Sequence, residues 1–401
     1  MANMITDDLR GLFFERETDS PVTRVVRALS GHGAVSASQI ARTTGLARST
    51  VSTILTDLKR SSLVVEVEVE TRQSGSAGRP ALAHSLNPEA GTCVGILLDL
   101  GQIRIILADV AHTVLADITI PLESNYAPER ATRAVRHAID TLYKEHSLPY
   151  SGLLGAGFAV SGPLAPDGQI MRASVLPTWG GTDLNAVFGP ALEKPIFADN
   201  ESNCAALAEM MWGAAAGHED FVFVKLDAGV GGAVVVNGRV LAGATGAAGE
   251  FGHMVLDPQG PLCRCGNRGC LELYVGTASI VREAQTQLGR RPQIGEVIDQ
   301  ALAGDVGFTR LIADAGEVAG RSLAVVGSIV NPPLFVIGGA LASAGDLLLA
   351  PLRSAYDKHA LIKRSDVGQG QYPNFVRGRF ADNDNCMGAL GLVLRHSGRL
   401  A

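Results

Sequence analysis

The chain has 401 residues, of which 46% are hydrophobic and 18% carry a charge. This length is enough for two or three globular domains, and the composition excludes an intrinsically disordered protein. The formal net charge of −6 gives the whole chain no attraction to nucleic acid, so any surface that binds nucleic acid must be local.

Export and membrane signals are weak in this sequence. The first twenty residues alternate charges with short apolar pairs and lack the apolar core of a signal peptide. A long apolar run at residues 323–352 is interrupted by Asn331-Pro332-Pro333 and by Gly338-Gly339, so no stretch of about 18–20 apolar residues remains. Few cysteines and no export signal favour a reducing compartment. We therefore expect a cytoplasmic protein with no membrane partner.

The segment at residues 22–88 reads as a small separate domain with three short helices. Apolar residues at 25–29 mark the first helix, a second begins near residue 38, and a short turn containing Gly45 follows. Apolar residues on the third helix recur at i, i+3, i+4 and i+7, and they are Val51, Ile54, Leu55 and Leu58. Two short helices around a glycine-containing turn predict a helix-turn-helix.

The N-terminal half of the third helix supplies the predicted DNA contacts. Its polar side chains are of the types that hydrogen-bond to base edges and phosphates. These residues are Arg48, Ser49, Thr50, Ser52 and Thr53. Any three-helix scaffold can show the same apolar stripe, so a purely structural role remains the alternative.

A β-hairpin is predicted directly after the three helices. Residues 63–70 alternate toward their end as a strand does, and a flexible loop follows at residues 74–80. A helix-turn-helix followed by a hairpin is a winged helix, with Arg72 and Arg79 near the tip of the wing, where they can reach a phosphate or a narrow minor groove. Gly78-Arg79-Pro80 can also be a plain linker turn.

The charge of this segment differs from that of the rest of the chain. Residues 22–88 contain eight Lys or Arg and four Asp or Glu, which gives a local balance of +4 (8 − 4). The whole chain is acidic. This asymmetry favours DNA binding by the N-terminal domain alone.

From residue 91 onward, apolar strands alternate with helices. The predicted strands are residues 94–98, 103–107, 114–120, 153–160, 221–226 and 233–236. A strand–glycine–strand pattern around Asp99–Gly101 returns in the second half of the chain. This pattern predicts an α/β protein with two lobes.

The segment at residues 249–272 carries three of the six cysteines and a histidine. Three thiolates and one imidazole are the ligand set of a closed tetrahedral zinc site, and four protein ligands leave no position for a reactive water. The predicted ligands of this structural Zn²⁺ are His253, Cys263, Cys265 and Cys270. Gly266 and Gly269 permit the sharp reversal that the site needs. The alternative is three small buried cysteines beside a core histidine.

With GEFGH at residues 249–253 and CxCGxxGCLE at residues 263–272, the chain resembles the ROK family (repressor, ORF, kinase), whose members are repressors and sugar kinases. The resemblance implies the same zinc ligands. It also implies contacts to the hydroxyls of a sugar, from Asn200, Glu201, Glu250, His253 and Glu272. For Glu272 the alternative is a solvated surface carboxylate.

The resemblance spans nearly the whole chain and implies its domain organisation. The fold class is α/β, with an N-terminal winged helix-turn-helix domain followed by a two-lobed actin-like/sugar-kinase (ROK) fold that holds its ligand between the lobes. The expected boundaries are an N-terminal segment at 1–21, the winged helix at 22–88, the first lobe at 89–204 with a C-terminal helix at 385–399, and the second lobe with the zinc site at 205–384.

Three elements that ROK kinases use for catalysis depart from the family pattern. The Asp-x-Gly-Gly-Thr phosphate loop reads Asp99-Leu100-Gly101-Gln102-Ile103, which puts a side chain where backbone must approach a phosphate. The second phosphate loop, Gly-Thr-Gly in the family, reads Asp227-Ala228-Gly229 and has gained a carboxylate. Glu201 stands where the catalytic Asp would be, one methylene longer. We therefore expect no kinase activity.

These observations predict a sugar-responsive transcriptional regulator, in particular a repressor of carbohydrate-metabolism genes that a sugar or sugar derivative releases from operator DNA. Its assembly is expected to be a homodimer or a dimer of dimers, because winged helices dock on paired half-sites. The rival is an ATP-dependent sugar kinase with a DNA-binding appendage. A third possibility is a DNA-binding protein that no longer responds to a ligand.

Overall fold

The computed structural model describes residues 20–69, 81–165, 167–171, 176–368, 371–380 and 384–395. These residues belong to two compact units. The first unit comprises the described residues within Met1–Cys204 and Cys386–Gly398. The second unit comprises those within Ala205–Asn385.

The first unit begins with three helices and a two-stranded sheet. The elements are α1 (Pro21–His32), α2 (Ala37–Thr44), α3 (Arg48–Arg60), β1 (Val64–Val69) and β2 (Ala81–Leu86). The two strands pair antiparallel, from Val64 opposite Leu86 to Val69 opposite Ala81. Three helices followed by a hairpin confirm the predicted winged-helix order.

Local sequence signals define the ends of these helices. The Ser20 hydroxyl accepts a hydrogen bond from the Thr23 N–H at the start of α1, and Ser36 caps α2 through the Gln39 N–H. Gly45 ends α2 with a φ of 67°, a left-handed conformation that glycine adopts without steric cost. The turn between α2 and α3 is therefore specified by sequence.

The larger sheet of the first unit has the strand order β5-β4-β3-β6-β7. Its strands are β3 (Thr92–Asp99), β4 (Gln102–Asp109), β5 (Val114–Pro121), β6 (Leu153–Val160) and β7 (Ile196–Asn200). Strand β3 pairs antiparallel with β4 and parallel with β6, which pairs parallel with β7. The carboxyl ends of β3, β6 and β7 therefore share one edge, where ligands of open α/β sheets commonly bind.

The sheet of the second unit has the same arrangement, in the order β10-β9-β8-β11-β12. Its strands are β8 (Phe221–Leu226), β9 (Val230–Val236), β10 (Arg239–Val240), β11 (Leu334–Gly338) and β12 (Asn374–Arg377). Strand β9 begins three residues before the predicted start. Its early part includes Gly232, where a Cβ would lie 2.3 Å from the ring of Phe251. Glycine weakens a strand prediction, but here the missing side chain admits a neighbouring ring.

Helices complete both units. They are α4 (Pro128–Glu145), α5 (Leu184–Leu192), α6 (Glu201–Trp212), α7 (Glu272–Val275), α8 (Thr277–Leu288), α9 (Ile294–Leu302), α10 (Val306–Val330), α11 (Asp346–His359) and α12 (Asp384–Arg395). Helices α10 and α11 pack closely because α10 carries glycines on the shared face. A Cβ at Gly316 would lie 2.4 Å from the Leu348 carbonyl oxygen, and one at Gly320 would lie 2.1 Å from that of Leu352.

Helix α12 lies against the sheet of the first unit at backbone distance. A Cβ at Gly157 on β6 would lie 1.8 Å from the Ala389 carbonyl oxygen, and one at Gly388 would lie 1.7 Å from the Cys204 carbonyl oxygen on α6. Any side chain at these glycines would push the helix away. The C-terminal helix is thus an integral layer of the first unit.

Among the residues that the structure describes, no helix combines the length and the apolarity needed to cross a membrane.

Candidate functional site

One histidine and three cysteines of the second unit converge on a single point. The ligand atoms of His253, Cys263, Cys265 and Cys270 all lie within 4.8 Å of one another. The Cys263 Sγ lies 3.6 Å from the His253 Nδ1, and the Sγ atoms of Cys265 and Cys270 are also 3.6 Å apart. Two thiolates on one tetrahedral zinc, each at about 2.3 Å, lie about 3.8 Å apart. This cluster can therefore bind a metal such as zinc.

The three cysteines of this cluster are free and form no disulfide. A disulfide joins its sulfurs at about 2.05 Å, far shorter than the separation of Cys265 and Cys270. The imidazole meets the cluster with Nδ1, so its other ring nitrogen remains available for a second contact. One histidine can in this way serve both a metal and a ligand.

The protonation of the cluster is compatible with metal binding. Burial lowers the pKa of His253, so the imidazole is neutral near pH 7 and can donate a lone pair. Burial, together with the neighbouring thiols, raises the pKa of Cys270 to about 12. Although burial opposes it, hydrogen bonds from the Asn267 backbone and from the other two cysteines lower the pKa of Cys265. A bound cation favours the thiolate form of all three.

Backbone hydrogen bonds shape the loop that carries the cysteines. The Cys263 N–H donates to the Asn267 carbonyl at 2.7 Å, and the Gly266 N–H donates back to the Cys263 carbonyl at 3.0 Å. Gly266 has a φ of 91° and Gly269 a φ of 61°, both left-handed. A Cβ at Gly269 would also lie 1.8 Å from the Asp257 carbonyl oxygen. Glycine is therefore required at both positions.

The GEFGH segment packs directly on β9. A Cβ at Gly249 would lie 2.3 Å from the Gly232 carbonyl oxygen, and one at Gly252 would lie 2.0 Å from the Val230 carbonyl oxygen. Glu250 precedes a single 3₁₀ turn at Phe251–His253, so Glu250 and His253 lie one turn apart, and both are half-buried. Gly249 and Gly252 thus allow the backbone around Glu250 and His253, two proposed sugar contacts, to lie directly against the sheet.

Glu272 is not a solvated surface carboxylate, because its side chain is only 11% exposed. Its Oε2 accepts a hydrogen bond from the Val230 N–H at 3.1 Å, at the first residue of β9. Its Oε1 accepts one from the Nε of Arg264 at 3.1 Å. Arg264 lies between two of the cysteines, so the loop that carries the cysteines is directly joined to Glu272.

Glu201 belongs to a hydrogen-bonded group in the first unit. The Ser161 Oγ lies 3.1 Å from the Glu201 Oε2 and 3.0 Å from the Asp99 Oδ1. These three residues follow or end strands β7, β6 and β3, so they share the carboxyl edge of the sheet. Sequence reasoning missed Ser161, although a polar residue directly after a buried strand was a visible signal.

The Asn200 side chain supports the local backbone. Its Nδ2 donates to the Gly162 carbonyl at 2.8 Å, and its Oδ1 accepts from the Ser202 N–H at 2.7 Å in the first turn of α6. The amide keeps one further N–H and one further lone pair for a ligand. Asn200 and Glu201 belong to the first unit, whereas Glu250, His253 and Glu272 belong to the second.

The predicted DNA-contact residues lie at the start of α3. Arg48, Ser49, Ser52 and Thr53 are exposed, and Thr50 is half-exposed. Ala47, the residue before α3, makes no side-chain cap hydrogen bond. The first N–H groups of α3 therefore remain available to an acceptor such as a phosphate. Arg72 and Arg79 lie outside the described residues.

A second missed residue is Glu209, which is buried at 1% exposure in α6. Its carboxylate accepts hydrogen bonds from the N–H groups of Ala214 and Arg379, both at 2.6 Å. Burial raises the pKa of Glu209, although these backbone hydrogen bonds oppose the shift. A carboxylate within the apolar second half of helix α6 was the available sequence signal for this structural role.

Comparisons with known proteins agree with this architecture. The ROK family model matches residues 93–396, and a MarR family model matches residues 18–73. The xylose repressor of Bacillus subtilis (strain 168) is 30% identical over 320 residues, which is 80% of this chain and 82% of that protein. The DNA-binding transcriptional repressor Mlc of Escherichia coli (strain K12) is 26% identical over 351 residues, which is 84% and 85% of the two chains.

Among solved structures, a ROK family transcriptional regulator described as a homolog of the Escherichia coli MLC protein superimposes with a TM-score of 0.72. It covers 98% of this chain and 97% of its own, at 22% identity, so it supports the fold alone. A winged helix joined to two α/β sheets of equal strand order, with a His-Cys₃ cluster, is the architecture of a sugar-kinase-like regulator. The chain belongs to the ROK family, and within it to the transcriptional regulators with an N-terminal MarR-like winged helix-turn-helix. The family and the fold class expected from the sequence are confirmed.

Proposed function

We propose that this chain is a transcriptional repressor that binds operator DNA through α3 and its wing, and that a sugar or sugar derivative releases it. The observation that carries the proposal is a set of buried contacts within the first unit. They join the winged helix to the same sheet whose carboxyl edge holds Asp99, Ser161 and Glu201. Two of the five proposed ligand contacts, Asn200 and Glu201, thus belong to the same compact unit as the proposed DNA contacts.

Ser30, near the end of α1, is the centre of these contacts. Its side chain is fully buried, and its Oγ donates to the Leu394 carbonyl on α12 at 2.7 Å. Its own carbonyl accepts a hydrogen bond from the Nε2 of His112, in the turn between β4 and β5. The Asp109 Oδ1 holds that turn by accepting from the N–H groups of Ala111 and Thr113. The winged helix is therefore attached both to helix α12 and to the turn between β4 and β5.

Helix α12 leads from Ser30 back toward the proposed sugar residues. Gly388 on α12 meets the Cys204 carbonyl on α6 at backbone distance, and α6 begins at Glu201. Close-packed interfaces of this kind shift as units instead of deforming gradually. A movement of α6 when Glu201 takes up a ligand would thus reach α1 through α12.

The ligand can act only through different affinities for two conformations. We propose that closure around the sugar changes the spacing of two winged helices in a homodimer or dimer of dimers. Half-sites lie about one helical turn of DNA apart, so a small reorientation prevents both helices from docking together. The names of two relatives, xylose repressor and transcriptional repressor, support repression as the action of the DNA-bound protein.

Several contacts argue against catalysis. The Gln102 Nε2 lies 3.4 Å from the Asp99 Oδ2, so a side-chain amide lies beside the first turn, where the family pattern has glycine. In the second turn, the Asp227 carboxylate accepts from the Ala228 N–H at 2.7 Å, a donor that a phosphate would otherwise use. We propose that the protein is not a kinase. Steady release of ADP from ATP with a hexose panel would contradict this.

We assign a structural Zn²⁺ to the His-Cys₃ cluster. Four protein ligands complete its coordination, so the ion supplies conformational stability instead of an activated water. The cluster holds His253, and Arg264 within the same loop positions Glu272. Reduced thiolates also require a reducing compartment, which supports a cytoplasmic location.

Fluorescence anisotropy on the protein's own upstream DNA, titrated with sugars and sugar phosphates, tests the proposal. Salt concentration must stay fixed, because phosphate contacts make affinity steeply salt-dependent. We expect one sugar to weaken DNA binding by about tenfold, equivalent to about 1.4 kcal/mol of coupling. Tight DNA binding that no sugar changes would contradict the effector role, and absence of specific DNA binding would contradict the regulator role.

A further inference from the structure

Helix α10 presents one face that the described residues leave uncovered. Its other face is buried against neighbours that include α9 and α11. The exposed positions lie three, four or seven residues apart, a spacing that puts them on a single stripe of the helix. This stripe runs the whole length of α10, which is about 37 Å for 25 residues. The residues of the α10 stripe are Val306, Arg310, Glu317, Arg321, Val325, Ser328 and Ile329.

The two ends of the α10 stripe are apolar. Val306 at its start is 84% exposed, and Ile329 near its end is 78% exposed. Each end has a further exposed leucine beside it. Leu302 ends α9 four residues before Val306, and Leu361 lines the same surface depression as Ser328. Exposed aliphatic side chains that are grouped in this way mark a contact surface.

The middle of the α10 stripe carries charges in a self-complementary order. Arg310 already has a partner, because its Nε lies 2.8 Å from the Asp314 Oδ1. Glu317 and Arg321 follow one turn apart, yet within the described part of the chain neither forms an ion pair. One free acid and one free base leave the stripe without net charge. It therefore does not favour a strongly acidic or basic partner, but it suits a second copy of itself in the opposite direction.

We propose that the α10 stripe is the contact between two copies of this chain, docked antiparallel about a two-fold axis. The midpoint of Glu317 and Arg321 is residue 319, one residue from the midpoint of α10. An axis at this level places Glu317 opposite the partner's Arg321, and symmetry forms the same pair a second time. This register also brings Val306 within one helical turn of the partner's Ile329. The apolar ends thus cover each other while the charges pair.

The size of the α10 stripe agrees with a stable dimer. A strip as long as α10 and two helices wide, about 20 Å, covers about 700 Å². Stable interfaces bury about 800 Å² on each partner, and Leu361 and Ile362 extend the strip. This inference rests on the homodimer of the proposed function and adds the surface through which its copies meet. Helix α10 also packs on α7, which begins with Glu272, so the contact adjoins a proposed ligand residue.

An exchange of charges tests this register, with sedimentation velocity of the full chain in the absence of DNA and sugar. Glu317→Arg faces the partner's Arg321 twice, and Arg321→Glu creates the converse repulsion. Each variant alone should therefore associate at least about tenfold more weakly than the unchanged chain. An equimolar mixture of the two variants restores both ion pairs and should recover the association. Thermal unfolding of each variant alone checks that its fold is kept.

A further variant tests the apolar ends. Ile329→Asp places a carboxylate in the apolar part of the contact and should weaken association by about a hundredfold. Leu241→Asp changes an exposed leucine elsewhere in the second unit, so this matched control should associate normally. Normal association of both charge variants would overturn the proposal. A mixture that stays dissociated would also overturn it, because the stripe would then serve a different partner.

Anisotropy on operator DNA separates this inference from the proposed function. Loss of tight DNA binding in each charge variant, with recovery in the mixture, would support both. Variants that associate normally and still release DNA on addition of sugar would overturn the α10 contact and leave the repressor proposal standing. Recovery of association in the mixture without any specific DNA binding would support the α10 contact and contradict the repressor proposal.

Discussion

The first turns of the two sheets look alike in sequence but are built differently. In the first unit Asp99 is the last residue of β3 and lies opposite Gln102, so only Leu100 and Gly101 form the turn. In the second unit Leu226 lies opposite Val230, so Asp227 belongs to a turn of three residues. Each carboxylate accepts a hydrogen bond from the next N–H at 2.7 Å.

The larger difference lies in what holds each turn from outside. The first turn is tied by Asp99 to Ser161 and through it to Glu201, all by side chains of the same sheet edge. The second is tied at Val230 to Glu272, which begins α7 and accepts a hydrogen bond from Arg264 in the loop that carries the cysteines. The fold thus places a proposed ligand carboxylate beside both turns, but only the second turn is connected to the cluster that can bind a metal.

The largest expected effect comes from removing the metal. Cys270→Ser removes one thiolate from the four proposed zinc ligands. We expect the zinc content to fall from about one ion per chain toward zero, and the unfolding temperature of the second unit to fall by many degrees. Metal analysis and thermal unfolding measure both. Cys386→Ser in the first unit, also buried, should keep its zinc. Full zinc retention in Cys270→Ser would contradict the ligand set.

Glu272→Gln should act on the second turn alone. The amide can keep one of the two hydrogen bonds, to Val230 or Arg264, and loses the charge that strengthens both. We expect the sugar concentration for half-release from DNA to rise at least about tenfold, since a bond to a charged group contributes about 1.5–3 kcal/mol. The exposed Glu283 on α8, changed to Gln, is the control. Equal responses in both variants would remove Glu272 from the site.

Ser30→Ala should separate DNA binding from the response to sugar. The Leu394 carbonyl loses its donor, at a cost of about 1 kcal/mol, while α3 is untouched. DNA affinity without sugar should stay within about twofold, and the shift caused by sugar should fall by about fivefold. Anisotropy measures both quantities. Ser343→Ala, which also removes a hydroxyl that donates to a carbonyl, should change neither. An undiminished shift would show that α1 does not transmit the signal.

The smallest effects compare the two turns directly. Asp99→Asn keeps an oxygen for the Leu100 N–H but turns an amide group toward Gln102, so it should lower the free energy of unfolding by about 1 kcal/mol. Asp227→Asn keeps its single hydrogen bond to Ala228 and should change stability by less than about 0.5 kcal/mol. Urea denaturation of both variants decides whether the two turns differ as described.

Much of the fold followed from patterns that are local in the chain. The three helices of the winged domain were predicted from apolar periodicity and a glycine in the turn, and the observed caps at Ser20 and Ser36 are equally local. The cluster of one histidine and three cysteines was also predictable, because its ligands lie within eighteen residues, His253 to Cys270. The role of Glu209 was not, since its partner Arg379 lies 170 residues away.

The sequence by itself therefore determined the order of elements, the cluster of one histidine and three cysteines, and the class of protein. Apolar periodicity, helix capping and metal-ligand spacing each involve residues that are close in the chain, so they can be recognised in the sequence. Only the tertiary structure decided that the Ser30 hydroxyl is bonded to the Leu394 carbonyl, 364 residues away, and that the Tyr372 hydroxyl is bonded to Asp357. Hydrogen bonds between distant residues depend on how layers pack, and packing is a property of the whole chain.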